Sequence, residues 1–147
     1  MRGAPILSVV CHCDDCQAGW RGTDARPSAH PALVADGGAP YLLFRKDRVE
    51  HKAGVERLEA HRIKSTSPTK RVVAACCNSA MYLDFEKGHW LSMCRNRFDG
   101  EVPPTQMRIQ TQFSRNALAG DVPSYRAYPP QFLARLLRAR IAMLFGR

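Results

Sequence analysis

Residues 10–17 read Val10-Cys11-His12-Cys13-Asp14-Asp15-Cys16-Gln17, and this C-x-C-x-x-C stretch places three thiols within six positions. A disulfide inside so short a loop is strained, whereas three sulfur atoms can converge on one point where the backbone bends. Zn²⁺ favours such thiolate clusters. The spacing therefore predicts a zinc site on Cys11, Cys13 and Cys16. A redox-active or merely exposed thiol cluster is the alternative.

The residues between these cysteines are expected to support the loop. His12 stands between two ligands, so its ring is predicted to point away from the metal and to pack behind it. Asp14 and Asp15 are predicted to hydrogen-bond backbone amides of the loop, as carboxylates in turns commonly do. None of the three is assigned a role in chemistry.

Length and composition are those of one globular domain of ordinary size. The chain has 147 residues, of which 45% are hydrophobic and 24% charged, so it can bury a core without the help of a metal. No apolar run approaches the roughly 20 residues that span a membrane. The apolar part of the N-terminal segment is too short for a secretory signal. We therefore expect a cytoplasmic protein with no transmembrane segment.

The charge balance bears on the partners of the protein. The net charge is +9, which raises the question of nucleic acid or an anionic surface. Lysine and arginine are spread along the chain instead of clustering with aromatic residues, however, and this pattern disfavours nucleic-acid binding.

A series of short β-prone segments predicts a mainly β fold. Strands are expected over residues 6–10, 41–44, 55–63, 71–77, 81–85, 89–94 and 107–113, the last being the clearest half-buried alternation. For 55–63 a helix competes with the strand that we favour. Glycines and prolines between Trp20 and Pro40 predict an irregular excursion with one helical turn near 32–35. His30 lies in this excursion and can approach the metal, although a solvent-facing position is favoured.

The final segment predicts an amphipathic helix. Pro130 suits a first helical position, and apolar residues recur at helical spacing from Phe132 to Leu144 with arginines between them. The expected division is a β domain over 1–129 and a helix over 130–147. The helix can pack on its own domain, which we favour. The alternatives are a partner, a second copy of the chain included, or an anionic membrane.

The ligand in the fourth position decides what such a zinc site does. Three cysteines leave one tetrahedral position unfilled. If Cys77 or Cys76 fills it, the metal is structural and clamps the first loop to the strand before Cys77. If water or a substrate thiolate fills it, the metal acts as a Lewis acid. The sequence permits both, and Cys77 is included in the predicted ligand set. Cys94 belongs to no motif and is assigned to the core.

Residues 9–17 resemble the C-H-C-x-x-C motif of the glutathione-dependent formaldehyde-activating enzyme family, which includes the centromere-protein-V-like proteins. Ser65 with residues 70–79 is similar to that family's later segment ending F-C-x-x-C-G-[ST], and residues 107–111 and 123–129 match more loosely. The resemblance implies a β-tent, in which small antiparallel sheets meet around zinc. It also implies carbon–sulfur lyase activity and a small thiol such as glutathione as the ligand.

The chain departs from the family's pattern at two places. In the family, a second, structural zinc is held by an upstream C-x-C and the later C-x-x-C. Here no cysteine precedes Cys11, and Ala74 stands where the first cysteine of the later pair is expected, leaving Cys77 in register. The resemblance therefore implies that the structural zinc is lost. Because no general base is evident, a non-catalytic zinc-stabilised binding module with a basic surface is the alternative function.

Overall fold

The computed structural model describes residues 1–24 and 31–146. Its strands and helices, in chain order, are β1 (Leu7–Cys11), α1 (Asp14–Asp24), β2 (Ala39–Arg45), β3 (Leu58–His61), β4 (Thr69–Ala74), β5 (Ser79–Phe85), β6 (Trp90–Cys94), β7 (Met107–Ile109) and α2 (Pro130–Leu144). Short 3₁₀ turns cover Lys46–Arg48, Val55–Arg57, Arg95–Arg97 and Thr111–Phe113. The predicted class, mainly β with a C-terminal helix, is confirmed.

Within these described ranges the strands form one hydrogen-bonded sheet in the order β3-β4-β5-β6-β2-β1-β7. Neighbouring strands pair antiparallel except β1 and β7, which run parallel with Val9 opposite Met107 and Cys11 opposite Ile109. A parallel pair needs a long connection between its strands, and β2 to β6 all lie between these two. The small antiparallel sheets that the sequence predicted are thus observed as one continuous mixed sheet.

Alternation along the strands divides the core between the two faces of this sheet. One face carries the main apolar cluster, to which α1 contributes Trp20 and α2 contributes Phe132 and Leu136; its strand members include Leu7, Val9, Cys11, Tyr41, Leu43 and Leu83. The opposite face carries a smaller cluster of Leu42, Phe44, Leu91 and Met93. Both helices therefore lie on the face that presents Cys11.

Strand β7 is shorter than expected and fully buried. The predicted strand over 107–113 ends at Ile109 because Gln110 adopts a φ of 58°, in the left-handed region. Residues 123–125 cover the outer edge of β7, where Arg108 N donates to Pro123 O and Tyr125 N donates to Arg108 O. This cover explains why the strand is buried instead of half-buried.

Helix α1 corrects the expected irregular excursion after Trp20. Residues 20–24 are its last turn, and a hydrogen-bonded turn from Val34 O to Gly37 N occupies the place of the helical turn expected near 32–35. Of the segment 55–63, Leu58–His61 forms the predicted strand after a 3₁₀ turn. No helix within the described residues is long and apolar enough to cross a membrane.

The strand expected over 71–77 also ends early. β4 ends at Ala74, and residues 75–78 form the turn to β5, with Asn78 at a φ of 53°. Cys76 and Cys77 therefore lie in a turn instead of at the end of a buried strand.

Candidate metal centre

Three thiols converge where β1 passes into α1. Cys11 is the last residue of β1, Cys13 immediately precedes α1, and Cys16 lies in its first turn. Their sulfur atoms all lie within 4.8 Å of one another, and each carries a free thiol. Tetrahedral zinc with Zn–S bonds of about 2.3 Å places its sulfur ligands about 3.8 Å apart. The donor set and its spacing therefore fit a thiophilic metal ion.

Cys13 also caps helix α1. Its carbonyl accepts the first helical hydrogen bond from Gln17 N at 3.1 Å, and its Sγ accepts from Cys16 N at 3.4 Å. A side chain at this position normally satisfies one of the unpaired amides of the first turn. The partial positive charge of the helix N-terminus favours negative charge on the sulfur atoms gathered there.

The three thiols differ in their pKa values. Hydrogen bonds from the Cys11 and Cys16 thiols, with the nearby Arg71 guanidinium, lower the pKa of Cys13 to about 3. The hydrogen bond with Cys11 lowers the pKa of Cys16, but the hydrogen bond with Cys13 and burial outweigh it and raise that pKa to about 12. Hydrogen bonds with Cys13 and Cys16, together with burial, raise the pKa of Cys11 well above its ordinary value. Cys13 is therefore the thiol that loses its proton most readily. Binding of a metal by all three sulfurs must displace the protons of Cys11 and Cys16.

His12 lies behind the cluster, as predicted. Its side chain is fully buried, and neither ring nitrogen has a hydrogen-bond partner within residues 1–24 and 31–146. Nε2 is 3.8 Å from Asp36 Oδ1. Burial lowers the pKa of His12, although the Asp36 carboxylate opposes the shift. Backbone bonds fix the residue, since His12 N donates to Ile109 O and its carbonyl accepts from Gln17 Nε2.

A cavity of about 390 Å³ opens beside the three sulfur atoms. It lies on the face of the sheet that α2 covers, and its walls are mostly apolar. The lining residues beyond the three cysteines include Val9, Leu43, Leu83, Phe85, Trp90, Ile109, Phe132, Leu133 and Leu136. A mostly apolar cavity with a few polar groups is typical of small-molecule sites.

The polar groups of this cavity come from different elements. Arg71 of β4 packs against Gly19 of α1 and donates from Nη2 to Asp15 O at 2.6 Å. Tyr41 of β2 accepts from Trp20 Nε1 at 2.5 Å. Tyr128 closes the cavity near α2, and burial with the neighbouring sulfurs raises the pKa of its phenol. A cation and two phenols thus face the space next to the thiols, and Asp15, Thr69 and Ser92 also line it.

The predicted fourth ligand, Cys77, is placed elsewhere. Among the described residues, the side chains placed to hold one metal ion together are those of Cys11, Cys13 and Cys16. Cys77 lies in the β4–β5 turn, where its Sγ donates to Ser79 Oγ at 3.1 Å and lies 3.7 Å from Cys76 Sγ. Cys94 is buried in the main cluster, as expected. His30 lies outside the described residues.

A larger, more open cavity of about 720 Å³ lies on the opposite face of the sheet. Val10 lines it, whereas its neighbours Val9 and Cys11 line the cavity beside the thiols. Three charged residues line it: Asp36, Arg95 and Arg108. Arg108 bonds Asp36 at 3.0 Å and Asp121, outside the lining, at 2.6 Å, whereas Arg95 donates to Ser8 Oγ at 2.9 Å and to Pro103 O. No cysteine, serine, histidine or lysine lines this cavity among the described residues, so the thiol chemistry belongs to the smaller cavity.

No protein-family model matches the chain, and no curated protein matches it.

Of two further candidate residues in the site, the sequence signalled one indirectly and the other not at all. Arg71 belongs to the segment 70–79 on which the family resemblance partly rests, so that segment gave the means to find it. Tyr41 stands in an apolar strand and gave no signal, because its approach to Cys16 depends on the pairing of β1 with β2.

Proposed function

We propose that the protein binds Zn²⁺ through Cys11, Cys13 and Cys16 and holds a small thiol compound in the adjoining cavity. The observation that carries the proposal is that the three sulfur atoms border a cavity of about 390 Å³. A structural zinc site is closed by a fourth protein ligand, whereas a zinc site that acts on a ligand keeps one position open. Among the described residues the cysteine group has no fourth member.

The residues of the cavity suit a thiol that bears a negative charge. The apolar walls exclude water from the ligand's carbon atoms. The Arg71 guanidinium attracts a carboxylate on the same molecule, and charge-assisted hydrogen bonds of this kind are the stronger ones. When bound, zinc would stabilise the thiolate form of a coordinated thiol. The Tyr41 and Tyr128 hydroxyls would orient polar atoms of the ligand.

The reaction proposed, on the family resemblance, is reversible addition of a thiol to formaldehyde. The thiol sulfur forms a bond to the aldehyde carbon, the carbonyl π pair moves to oxygen, and the proton lost by the thiol ends on that oxygen. The reverse step is a carbon–sulfur bond cleavage. Tyr128 is the proposed hydrogen-bond donor to the oxygen that gains charge, because its phenol lines the cavity and its raised pKa keeps it protonated.

Membership in the formaldehyde-activating enzyme family belongs to the same proposal. It rests on the motif over 9–17 and the segment over 70–79. The alternative, a zinc-stabilised binding module, requires a site that accepts no ligand. The cavity beside the sulfurs favours the first function over the second.

Metal analysis of purified variants tests the site. We expect about one zinc per chain in the wild type and large losses in Cys11→Ser, Cys13→Ser and Cys16→Ser, because each change removes one of three protein ligands. Cys76→Ser is the matched control, since it removes an exposed cysteine in the β4–β5 turn. Full zinc in Cys16→Ser would contradict the three-cysteine site, and loss of zinc in Cys77→Ser would identify a fourth ligand and close the site.

Ligand entry is tested separately with a cobalt-substituted sample. Glutathione should shift the cobalt absorption bands and strengthen the sulfur charge-transfer band, because a new sulfur enters the coordination shell. Arg71→Gln should weaken this titration by about tenfold or more while the metal content stays unchanged. A spectrum that glutathione leaves unaltered argues for the closed, non-catalytic module. Formation of the hydroxymethyl thioether from formaldehyde and glutathione, followed by ¹³C NMR, then tests the reaction.

A further inference from the structure

The outer face of helix α2 is apolar and exposed. Phe132 and Leu136 are buried in the main cluster, but the helix also presents large apolar side chains to the outside. The exposed fractions are 54% for Leu133, 60% for Leu137, 45% for Ile141, 71% for Leu144 and 73% for Phe145. One helix thus has two apolar faces, of which the fold uses one.

The two faces are separate. At about 100° per residue, Leu133, Leu137, Ile141 and Leu144 fall within a stripe roughly 80° wide, and Phe132 and Leu136 lie well to one side of it. A flat surface can therefore cover the stripe while Phe132 and Leu136 remain packed on the sheet. Covering it requires no unfolding of the domain.

The charged side chains that α2 carries beside this stripe are all arginines. Arg138 and Arg140 are exposed and flank the stripe on its two sides. Every ionisable side chain after Asp121 that is charged at neutral pH is an arginine. A second copy of α2 placed on this stripe would bring like charges together without acidic partners, which disfavours self-association through this face.

We propose that this face docks on a membrane surface that contains anionic phospholipids. A helix with exposed leucine and isoleucine and flanking arginines is suited to lie in the plane of the lipid–water interface. Arginines near such a surface gain from its negative potential. Phe145 at the end of α2 and Tyr128 before it, 73% and 48% exposed, supply the aromatic side chains that favour the interface. The net charge of +9 adds long-range attraction.

Co-sedimentation with lipid vesicles tests the proposal. The full chain should bind vesicles of phosphatidylcholine with phosphatidylserine and bind poorly to phosphatidylcholine alone, and added salt should weaken the binding. The double variant Leu137→Ser, Ile141→Ser and the double variant Arg138→Gln, Arg140→Gln should each reduce partitioning by at least about tenfold. Circular dichroism and zinc content of the variants should match the wild type, because all four side chains are exposed.

Matched controls separate this face from the protein's overall charge and hydrophobicity. Val55→Ser removes an exposed apolar side chain, and Arg57→Gln with Lys64→Gln removes the same charge elsewhere; both should bind like the wild type. Absence of vesicle binding, or binding that the arginine changes leave intact, overturns the proposal. So does a dimer in sedimentation velocity that Leu137→Ser, Ile141→Ser dissociates, since a second copy would then cover the face. None of these outcomes depends on the zinc site.

Discussion

At the scale of single residues, Cys13 has two roles in one position. It caps α1 through its sulfur and carbonyl. Its sulfur also forms hydrogen bonds with the other two thiols, which lower the pKa of Cys13. The sequence predicted the convergence of the three cysteines because their spacing is local. It could not predict that the pKa values of the three thiols differ, since these values depend on burial and on Arg71, a residue far away in the chain.

A close backbone approach at Gly38 holds His12 in place. A Cβ added at Gly38 would lie 2.3 Å from Val10 Cγ1 and 2.7 Å from His12 Cε1, and these neighbours belong to or follow a buried strand. Gly38→Ala should therefore lower the free energy of unfolding by about 1–3 kcal/mol, measured by urea denaturation. Gly120→Ala, where an added Cβ meets nothing within 4 Å, should change it little. Equal effects would contradict the packing of His12 described above.

At the scale of elements, the face of α2 that carries Phe132 and Leu136 is part of the core, and the outer face that carries Leu137 is not. Phe132 is 5% exposed and stacks on Tyr128 with ring centroids 5.2 Å apart, whereas Leu137 is 60% exposed. Phe132→Ala should cost about 3–5 kcal/mol of unfolding free energy. Leu137→Ala should stay within about 0.5 kcal/mol of the wild type. Urea denaturation of the pair measures both, and a large loss in Leu137→Ala would show that the outer face is covered by the protein itself.

The packing of α2 against His89 predicts that the free energy of unfolding depends on pH. Burial lowers the pKa of His89, the cations Arg140, Arg45 and Lys46 add to the shift, and the Leu136 backbone opposes it. The unfolded chain, with the ordinary pKa near 6.5, therefore takes up the proton first as the pH falls. The stability contributed by neutral His89 is complete above about pH 6.5 and is lost below it.

Replacing His89 removes this contribution. Urea denaturation at several pH values from about 7 to about 5 measures the effect. As the pH falls, the free energy of unfolding should decrease less steeply for His89→Gln than for the wild type. Contributions from His12 and from the metal ligands are common to both proteins and cancel in the difference. His61→Gln, which alters a histidine 57% exposed beside Glu59, serves as the control. Parallel curves for wild type and His89→Gln would contradict the packing of α2 against the half-buried His89.

Local patterns predicted most strands, but they missed the early end of β7 and the whole of helix α1. The period of two over residues 107–113 was a true signal for Met107–Ile109, and the left-handed Gln110, which no propensity favours, ended the strand. Helix α1 escaped prediction because Gly19 and Gly22 are poor helix formers. Its signals were a capping side chain at Cys13 and two acidic residues in the first turn.

At the scale of the whole molecule, the arrangement of strands depends on contacts between distant segments. The mainly β class followed from composition and alternation, but the parallel pairing of β1 with β7 joins residues 9–11 to 107–109, and no local pattern encodes it. The cavity beside the thiols has the same origin, because its walls come from all strands except β3 and from both helices. The metal ligands could thus be predicted from a short stretch, and the space next to them could not.

Because the proposed zinc ties β1 to α1, metal binding should stabilise the whole fold. Zinc that binds only the folded state adds about 1.4 kcal/mol of unfolding free energy for each tenfold rise of its free concentration above the dissociation constant. Thermal denaturation in buffered zinc should show a midpoint that rises with zinc and falls with a chelator. Cys16→Ser should respond weakly to both. A wild-type midpoint that ignores zinc and chelator alike would contradict a metal site in the native protein.

The contact between Trp20 and Tyr41 gives the protein a built-in optical reporter. Trp20 is fully buried and donates to Tyr41, which lines the cavity, and Trp90, the other tryptophan of the chain, lines the cavity directly. Both indole rings therefore sense the polarity and the quenchers of this one space. Intrinsic fluorescence should thus record the arrival of cobalt, of a thiol or of formaldehyde in real time, without any label attached to the chain.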